Sequence, residues 1–328
     1  MNRTKACLIF NPTAGQSDSE QDLARIQAIL EPSIDLDIRF TTPEVDAGTI
    51  AKEAIANGVT SIIASGGDGT LSATAAALVG TTIPLGVISR GTANAFASAL
   101  ELPDTIEVAC EMILGGATRV VDAARCNDLA MVLLAGIGFE AETVEKADRQ
   151  AKNRFGMLAY VMAGIQQLRE LESFEAEIET EDKVITVTAS AITVANAAPP
   201  TSVLAQGPAG VSFEDGLLDV TVVSPISRAG AITASYHLLQ TALNESSTER
   251  DDIGYLRARR VIVRTNPPQK VVVDGEVIGN TPIDVECVPG GLTIFVPLSA
   301  APPDAIEKLE GLPGLKVESK ENVGFEED

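Results

Sequence analysis

The hexapeptide Ser65-Gly66-Gly67-Asp68-Gly69-Thr70 sits between an apolar β-branched run at 59–63 and an alanine-rich segment at 71–79. A strand, a glycine turn and a helix in that order restrict this part of the chain to an α/β unit. Gly66, Gly67 and Gly69 carry no Cβ, so backbone N–H groups can turn toward an anion and let it come close. The start of the following helix adds the positive end of its dipole. Geometry alone is the competing explanation, since a strand-to-helix turn uses glycine and Asp68 and Thr70 can cap the helix. A carboxylate beside phosphates repels them unless a divalent cation, or a hydroxyl to be activated, stands between, so Asp68 suggests chemistry as well as binding. No Lys-Ser or Lys-Thr pair follows the last glycine, which excludes a Walker A loop, and the spacing is not the dinucleotide fingerprint. Gly136-Ile137-Gly138 comes nearer to that fingerprint but lies far from the other glycine loops.

The sequence around the hexapeptide repeats its organisation. Strand-like runs at 6–10, 35–40, 61–64 and 84–88 alternate with helical segments at 21–30, 49–57 and 71–79, the signature of βαβ units. Three loops follow strands: Asn11-Pro12-Thr13-Ala14-Gly15, residues 66–70, and Gly91-Thr92-Ala93-Asn94. Ligands of open α/β sheets bind along that carboxyl edge, so the three together predict a nucleotide cleft, although each alone reads equally as a turn. Arg90 is read either as reaching a phosphate or as an exposed loop residue.

Beyond about 123 the pattern changes to short β-branched runs at 131–134, 184–195, 218–223, 261–264, 270–273 and 292–296, which predict an antiparallel β-sandwich. Helical stretches at 156–171 and 229–243 interrupt it. The predicted fold class is therefore α/β plus all-β: a nucleotide-binding α/β domain over 1–123, a β-sandwich over 124–298, and an acidic tail over 299–328 expected to be mobile. Two Asp-Gly pairs, Asp215-Gly216 and Asp274-Gly275, lie between strand-like runs, where Asp-Gly favours a two-residue hairpin turn. Glu276 lies two residues beyond Asp274, and alternation along a strand predicts both carboxylates on one face. Such a pair is a candidate general base.

Composition narrows the partners. With 24 basic and 46 acidic residues the formal net charge is −22, which argues against nucleic acid. The best basic cluster, Lys146, Arg149, Lys152 and Arg154, precedes an apolar segment at 155–162; it is read as a solvated helix face, with docking on a membrane surface as the alternative. No run approaches the ~18 apolar residues that span a bilayer, so no transmembrane segment is expected. Cys7, Cys110, Cys126 and Cys287 form no C-x-x-C pair, which fits a reducing, cytoplasmic setting without a zinc site. His237 has no second His or Cys nearby and is read as structural.

Five motifs occur in order: Asn11-Pro12-Thr13-Ala14-Gly15, Gly66-Gly67-Asp68-Gly69-Thr70, Gly91-Thr92-Ala93-Asn94, Asp215-Gly216-Leu217-Leu218-Asp219-Val220 and Val273-Asp274-Gly275-Glu276. On these the chain resembles the bacterial diacylglycerol-kinase-like lipid kinases, relatives of the diacylglycerol, sphingosine and ceramide kinases and, more distantly, of NAD kinase. The resemblance implies an ATP-binding α/β domain and a β-sandwich with the active site between them. It further implies that Asn11, Thr41, Gly66, Gly67, Asp68, Gly69, Thr70, Leu71, Ser72 and Thr92 contact ATP. Asp68 would act near the phosphates and a catalytic magnesium, and Glu276 would accept the proton of a lipid hydroxyl. A structural magnesium would sit at the turn of Ser212, Asp215 and Leu217. Diacylglycerol is the default acceptor, met by a cytoplasmic protein whose contact with the membrane is peripheral and transient, and a homodimer is left open. Two positions depart from the usual pattern, Ser72 where asparagine is common and Ala95 where aspartate is common. They keep a catalytically silent lipid- or nucleotide-binding regulator as an alternative, beside NAD kinase, which shares the Gly-Gly-Asp-Gly-Thr loop.

Overall fold

Strand β1 (Thr4–Phe10) is buried along its last five residues, which a strand tolerates only when both of its edges are paired and both of its faces are covered. It pairs in parallel with β2 (Ile34–Phe40) on one side and β3 (Ser61–Gly66) on the other, and β3 pairs in parallel with β4 (Leu85–Ser89). The crossovers are α1 (Ser19–Leu30), α2 (Ala47–Ala56) and α3 (Asp68–Leu78). Asp18 caps α1 by accepting from the Glu20 and Gln21 N–H groups, and Asp46 caps α2 by accepting from Thr49. Helix α1 packs with α5 (Ile106–Gly115), whereas α2 packs with α3. The order β2-β1-β3-β4 reverses direction between β1 and β3, so a switch point opens where the loops after those two strands leave the sheet. These observations describe residues 4–15, 17–138, 173–199, 202, 205, 211–223 and 253–297 of a computed structural model. The basic cluster at 146–154, the helical stretches expected at 156–171 and 229–243, His237 and the acidic tail lie outside the described residues.

After α4 (Ala95–Ala99) and α5 the chain turns to strands: β5 (Thr118–Cys126), β6 (Leu129–Met131), β7 (Leu134–Gly138), β8 (Phe174–Glu179), β9 (Val184–Ala189), β10 (Ala191–Ala195), β11 (Leu218–Val223), β12 (Ile253–Ala258), β13 (Arg260–Asn266), β14 (Lys270–Val273), β15 (Glu276–Asn280) and β16 (Ile283–Phe295). One antiparallel sheet runs β12-β11-β10-β7-β14-β15. The other face of the sandwich is β16-β13-β8-β9, and it continues the parallel strands, because β16 also pairs with β4. The N-terminal α/β architecture and the antiparallel β-sheet domain that follows it are thus both present, joined edge to edge.

The join has a sequence cause. β5 and β16 form a long antiparallel ribbon whose register shifts between Val288 and Leu292, at Pro289-Gly290-Gly291. Gly290 takes φ +61°, and a Cβ on Gly291 would lie 2.8 Å from the Val288 carbonyl oxygen, so only glycine admits this bulge. On one side of it Val121, Leu292 and Ile294 belong to the core under the parallel strands. On the other, Ala124, Cys126, Val285 and Cys287 belong to the core of the sandwich.

Two local expectations change. Within the run at 131–134, Val132 and Leu133 form a bend between β6 and β7, and 184–195 breaks at Ser190 into strands of different sheets. Gly136-Ile137-Gly138 lies within β7, paired on both sides by β10 and β14, and so forms no phosphate loop. All four cysteines are buried and free.

Candidate active site

The glycine hexapeptide folds as the turn from β3 into α3, with Gly67 preceding the helix. Helix α3 has no side-chain cap, so its first N–H groups are left to the loop mouth, where an anion can take them. Gly66 is required by packing, because a Cβ there would lie 2.7 Å from the Thr70 side chain. That close approach lets Thr70 Oγ1 accept from Asn11 Nδ2 at 2.9 Å, while the Asn11 N–H donates to the Ser65 carbonyl. Asn11 Oδ1 in turn accepts from the backbone and hydroxyl of Thr13. Loops one and two are therefore locked together at the switch point.

The third loop joins them through glycine as well. A Cβ on Gly91 would stand 3.0 Å from Gly67 Cα and 2.9 Å from Asn94 Oδ1, so loop three comes this close to loop two only because Gly91 has no side chain. Asp68 Oδ1 accepts from the Phe96 N–H at 3.0 Å and so holds the first turn of α4. Ala95 leaves that helix start without a carboxylate of its own, and Asp68 supplies one. Among the other residues expected at ATP, Thr41 follows β2 with its N–H donated to the Phe10 carbonyl, and Thr92 is exposed on loop three. The Leu71 side chain is in the core, and the buried Ser72 hydroxyl has no hydrogen-bond partner. A groove of about 440 Å³ opens beside loop three, lined by Gly15, Arg25, Gly91, Thr92 and Thr105 among others, and includes none of residues 66–72.

Arg90 takes neither of its two expected roles. It is 6% exposed, its Nε donates to Asp22 at 3.0 Å, its terminal nitrogens donate to the Asn11 and Ala14 carbonyls, and its guanidinium lies 4.2 Å from the centroid of the Phe10 ring. Each of its three side-chain nitrogens makes a hydrogen bond, so Arg90 fastens loop one to α1 from the end of β4. Burial alone would raise the Asp22 carboxyl, but the Ser17 hydroxyl and the Arg90 guanidinium hold it below its ordinary value.

The paired-carboxylate expectation is also corrected. Asp274 and Gly275 have φ of +49° and +89°, the left-handed pair of a tight hairpin turn, so strand alternation stops before Glu276 and the two carboxylates do not share a face. Glu276 is exposed at the start of β15. Asp274 points the other way, where Oδ2 accepts from the Val132 N–H at 2.8 Å and Oδ1 from those of Leu133 and Leu134 at 2.9 and 3.0 Å. Burial raises its carboxyl to about 6 in spite of these three donors. A carboxyl that binds its proton more tightly folded than unfolded loses stability as pH rises from its ordinary value of 3.8 to about 6, by on the order of 3 kcal/mol. Urea midpoints measured at pH 4 and pH 7 should show this loss in the wild type and not in Asp274→Asn; equal pH dependence in the two would remove Asp274 as its source.

Ser212, Asp215 and Leu217 form a turn in which Asp215 Oδ1 accepts from the Leu217 N–H at 3.0 Å. Only Gly216 of its Asp-Gly pair has positive φ, so this is not the hairpin turn expected. Asp122 anchors it: Oδ2 accepts from Gly216 N–H at 2.7 Å and Oδ1 from Gly290 N–H at the bulge at 2.8 Å. Arg257 lies 2.8 Å from Asp219 and 3.4 Å from Asp215, and the second Asp219 oxygen is buried without a hydrogen-bond partner. Burial raises the Asp219 carboxyl despite Arg257. Carboxylate and carbonyl oxygens with one orphaned oxygen beside them are the hard donor set that suits magnesium. Asn196 Nδ2 donates to both the Asp122 and the Val132 carbonyls, so this turn and the segment that Asp274 grips share one buried link.

Sequence reading missed Asp122 and Asn196. The signal was a polar residue inside an apolar run, Val120-Val121-Asp122-Ala123 and Val194-Ala195-Asn196-Ala197. Arg90's partner Asp22 left no such sign.

Residues 5–126 match the diacylglycerol kinase catalytic domain and residues 133–296 the YegS C-terminal NAD kinase beta sandwich-like domain. An uncharacterized protein of Synechocystis sp. is 52% identical over 302 residues, spanning 89% of this chain and 70% of its own length. The diacylglycerol kinase of Bacillus subtilis is 30% identical over 284 residues, 85% of this chain and 91% of its own. The crystal structure of a diacylglycerol kinase from Bacillus anthracis str. Sterne superposes with a TM-score of 0.75 at 29% identity, covering 90% of this chain and 98% of that one.

Proposed function

Since the chain belongs to the diacylglycerol-kinase-like lipid kinases, we propose that it transfers the γ-phosphate of Mg-ATP to a lipid hydroxyl, with diacylglycerol the default acceptor and phosphatidic acid the product. The observation that carries this reading is the three-loop cluster at the switch point, where Gly66, Gly67 and Gly91 keep backbone N–H groups and the start of α3 open to an anion.

In this reading Asn11, Thr41, Gly66, Gly67, Gly69, Thr70, Leu71, Ser72 and Thr92 contact ATP, Leu71 through its backbone because its side chain is in the core. Asp68 keeps one oxygen on the Phe96 N–H, and its second oxygen would be the one to help hold a magnesium ion, which would neutralise phosphate charge. Glu276 takes the acceptor's hydroxyl proton, the freed oxygen bonds to the γ-phosphorus, and the bond to the β-phosphate oxygen breaks to release ADP. Phosphoryl transfer asks the protein chiefly for positioning and for neutralisation of charge, which this set supplies. Ser212, Asp215 and Leu217 would hold a second, structural magnesium, with Asp219 as a neighbouring oxygen donor; bound there, it would neutralise carboxylate charge and stiffen the turn. The α/β part, taken as 1–123, carries ATP, and the sandwich, taken as 124–298, receives the lipid at a membrane surface. Among the described residues no helix is long and apolar enough to cross a membrane.

The test is transfer of labelled γ-phosphate from Mg-ATP to a host total-lipid extract in mixed micelles, with Asp68→Ala and Glu276→Gln as controls. A new labelled lipid, absent with both variants, is the expected result, and its mass identifies the acceptor. NADP formation from NAD in place of a labelled lipid would make the protein an NAD kinase. ATP binding with no acceptor labelled would make it a binding protein.

A further inference from the structure

The buried face of the hairpin turn beside Glu276 does something that turn formation alone does not require. A two-residue Asp-Gly turn needs only positive φ at both positions. Here the Asp274 side chain in addition accepts the N–H groups of three consecutive residues, Val132, Leu133 and Leu134, and its own N–H donates to the Leu134 carbonyl. Those residues are not part of the hairpin. Val132 and Leu133 are buried in the core under the parallel strands, the same core that takes Leu71, Ala75 and Leu78 from α3. Helix α3 begins at Asp68. One packed core is therefore shared by α3, which follows the glycine loop, and residues 132–133, and Asp274 ties the 132–134 segment, across one glycine, to Glu276. Asn196 closes that segment from behind, accepting nothing from the hairpin but donating to the Val132 carbonyl, while the Asn196 and Ala197 N–H groups both donate to that of Leu133.

We propose that Asp274 is a positioning residue for phosphoryl transfer: it fixes the hairpin that carries Glu276 to segment 132–134 and thereby sets the place of the base relative to the phosphate loop. The proposal rests on the lipid-kinase reading, in which Glu276 is the base. A misplacement of about 1 Å at a reacting group costs on the order of 10²-fold in rate, and three charge-assisted hydrogen bonds are a strong means of preventing one. Asparagine at 274 presents an NH2 to one of the three N–H donors and cannot hold all of them. Glutamate keeps both oxygens but sets the hairpin farther from residues 132–134.

The experiment compares wild type, Asp274→Asn, Asp274→Glu, Glu276→Gln and the double variant Asp274→Asn/Glu276→Gln on the full chain. Diacylglycerol in mixed micelles is the acceptor, with thermal melting and titration of a fluorescent ATP analogue as parallel readouts. The expected result is that kcat falls about 10²-fold in both Asp274 variants, that the affinity for the ATP analogue stays within about twofold, and that the double variant is no slower than Glu276→Gln alone. Turnover near wild type in a folded Asp274→Asn or Asp274→Glu would overturn the proposal. So would loss of ATP affinity in step with kcat, or failure of both variants to fold, each of which makes Asp274 a general structural residue. An active Glu276→Gln instead removes the base itself and leaves the kinase reading standing, so the two failures are told apart.

Discussion

Glu276→Gln is expected to lower phosphoryl transfer by about 10²- to 10⁴-fold while ATP binding and thermal stability stay near those of the wild type. Glutamine keeps the size and the hydrogen-bonding reach of glutamate but cannot take a proton at neutral pH. The substitution falls at an exposed residue that opens β15 opposite Val273, where changes in surface chemistry usually shift stability by less than about 0.5 kcal/mol. Its effect should thus appear in kcat alone. Initial rates with diacylglycerol in mixed micelles, beside titration of a fluorescent ATP analogue, separate the two terms. A variant that turns over within tenfold of the wild type would exclude proton transfer to Glu276 as a catalytic step, and one that no longer binds the analogue would place Glu276 at the nucleotide.

The second large effect is on stability. Arg90→Met is expected to cost about 3–5 kcal/mol, because it leaves the Asp22 carboxylate without its guanidinium partner. The two side chains are 2% and 3% exposed, so the pair is almost fully withdrawn from solvent before the change. The carbonyls of Asn11 and Ala14 lose donors in the same step, and Phe10 loses the cation over its ring. Urea denaturation at neutral pH measures the cost. Since the Asp22 carboxyl is held below its ordinary value in the folded protein, the pair's contribution is complete above that ordinary value and is lost as pH falls from there through the lower folded one. The difference between wild type and variant should shrink in acid. A cost below about 1 kcal/mol would mean that loop one opens and wets Asp22 without disturbing the sheet. Loop one also carries Asn11, so a folded Arg90→Met protein should bind the ATP analogue less well, whereas Glu276→Gln should not.

What the sequence disclosed depended on how local the cause was. Gly66 and Gly91 were legible because a missing side chain is a demand visible at the residue itself, and the close contacts that require it, with the Thr70 side chain and with Gly67 and Asn94, are those of the folded loops. Asp274-Gly275 was legible as a turn for the same reason. The face of Glu276 was misread because alternation holds only inside a strand, and two left-handed residues reset it. Arg90 could not be placed from its neighbours, since what buries it is a carboxylate in α1 and two carbonyls in another loop. Asp122 and Asn196 stood out as polar residues in apolar runs, but their partners, the Gly216 and Gly290 N–H groups and the Val132 carbonyl, come from distant parts of the chain. The same distance hid the continuity of the sheet: that β16 would lie beside β4 is a pairing no periodicity contains.

That pairing bears on how the protein is made. As the chain leaves the ribosome, β1 to β4 can assemble with their helices as soon as residue 89 is free, yet β4 then presents an unpaired edge, the kind of surface that recruits other strands. Its partner, β16, follows every other described strand and reaches Leu85 through Ile294 only after most of the sequence has been translated. Such non-local closure slows folding and lengthens the time an open edge is exposed. The N-terminal α/β half is therefore the first to begin folding and among the last to be finished, and during synthesis its open β4 edge is a place where protection against other strands matters.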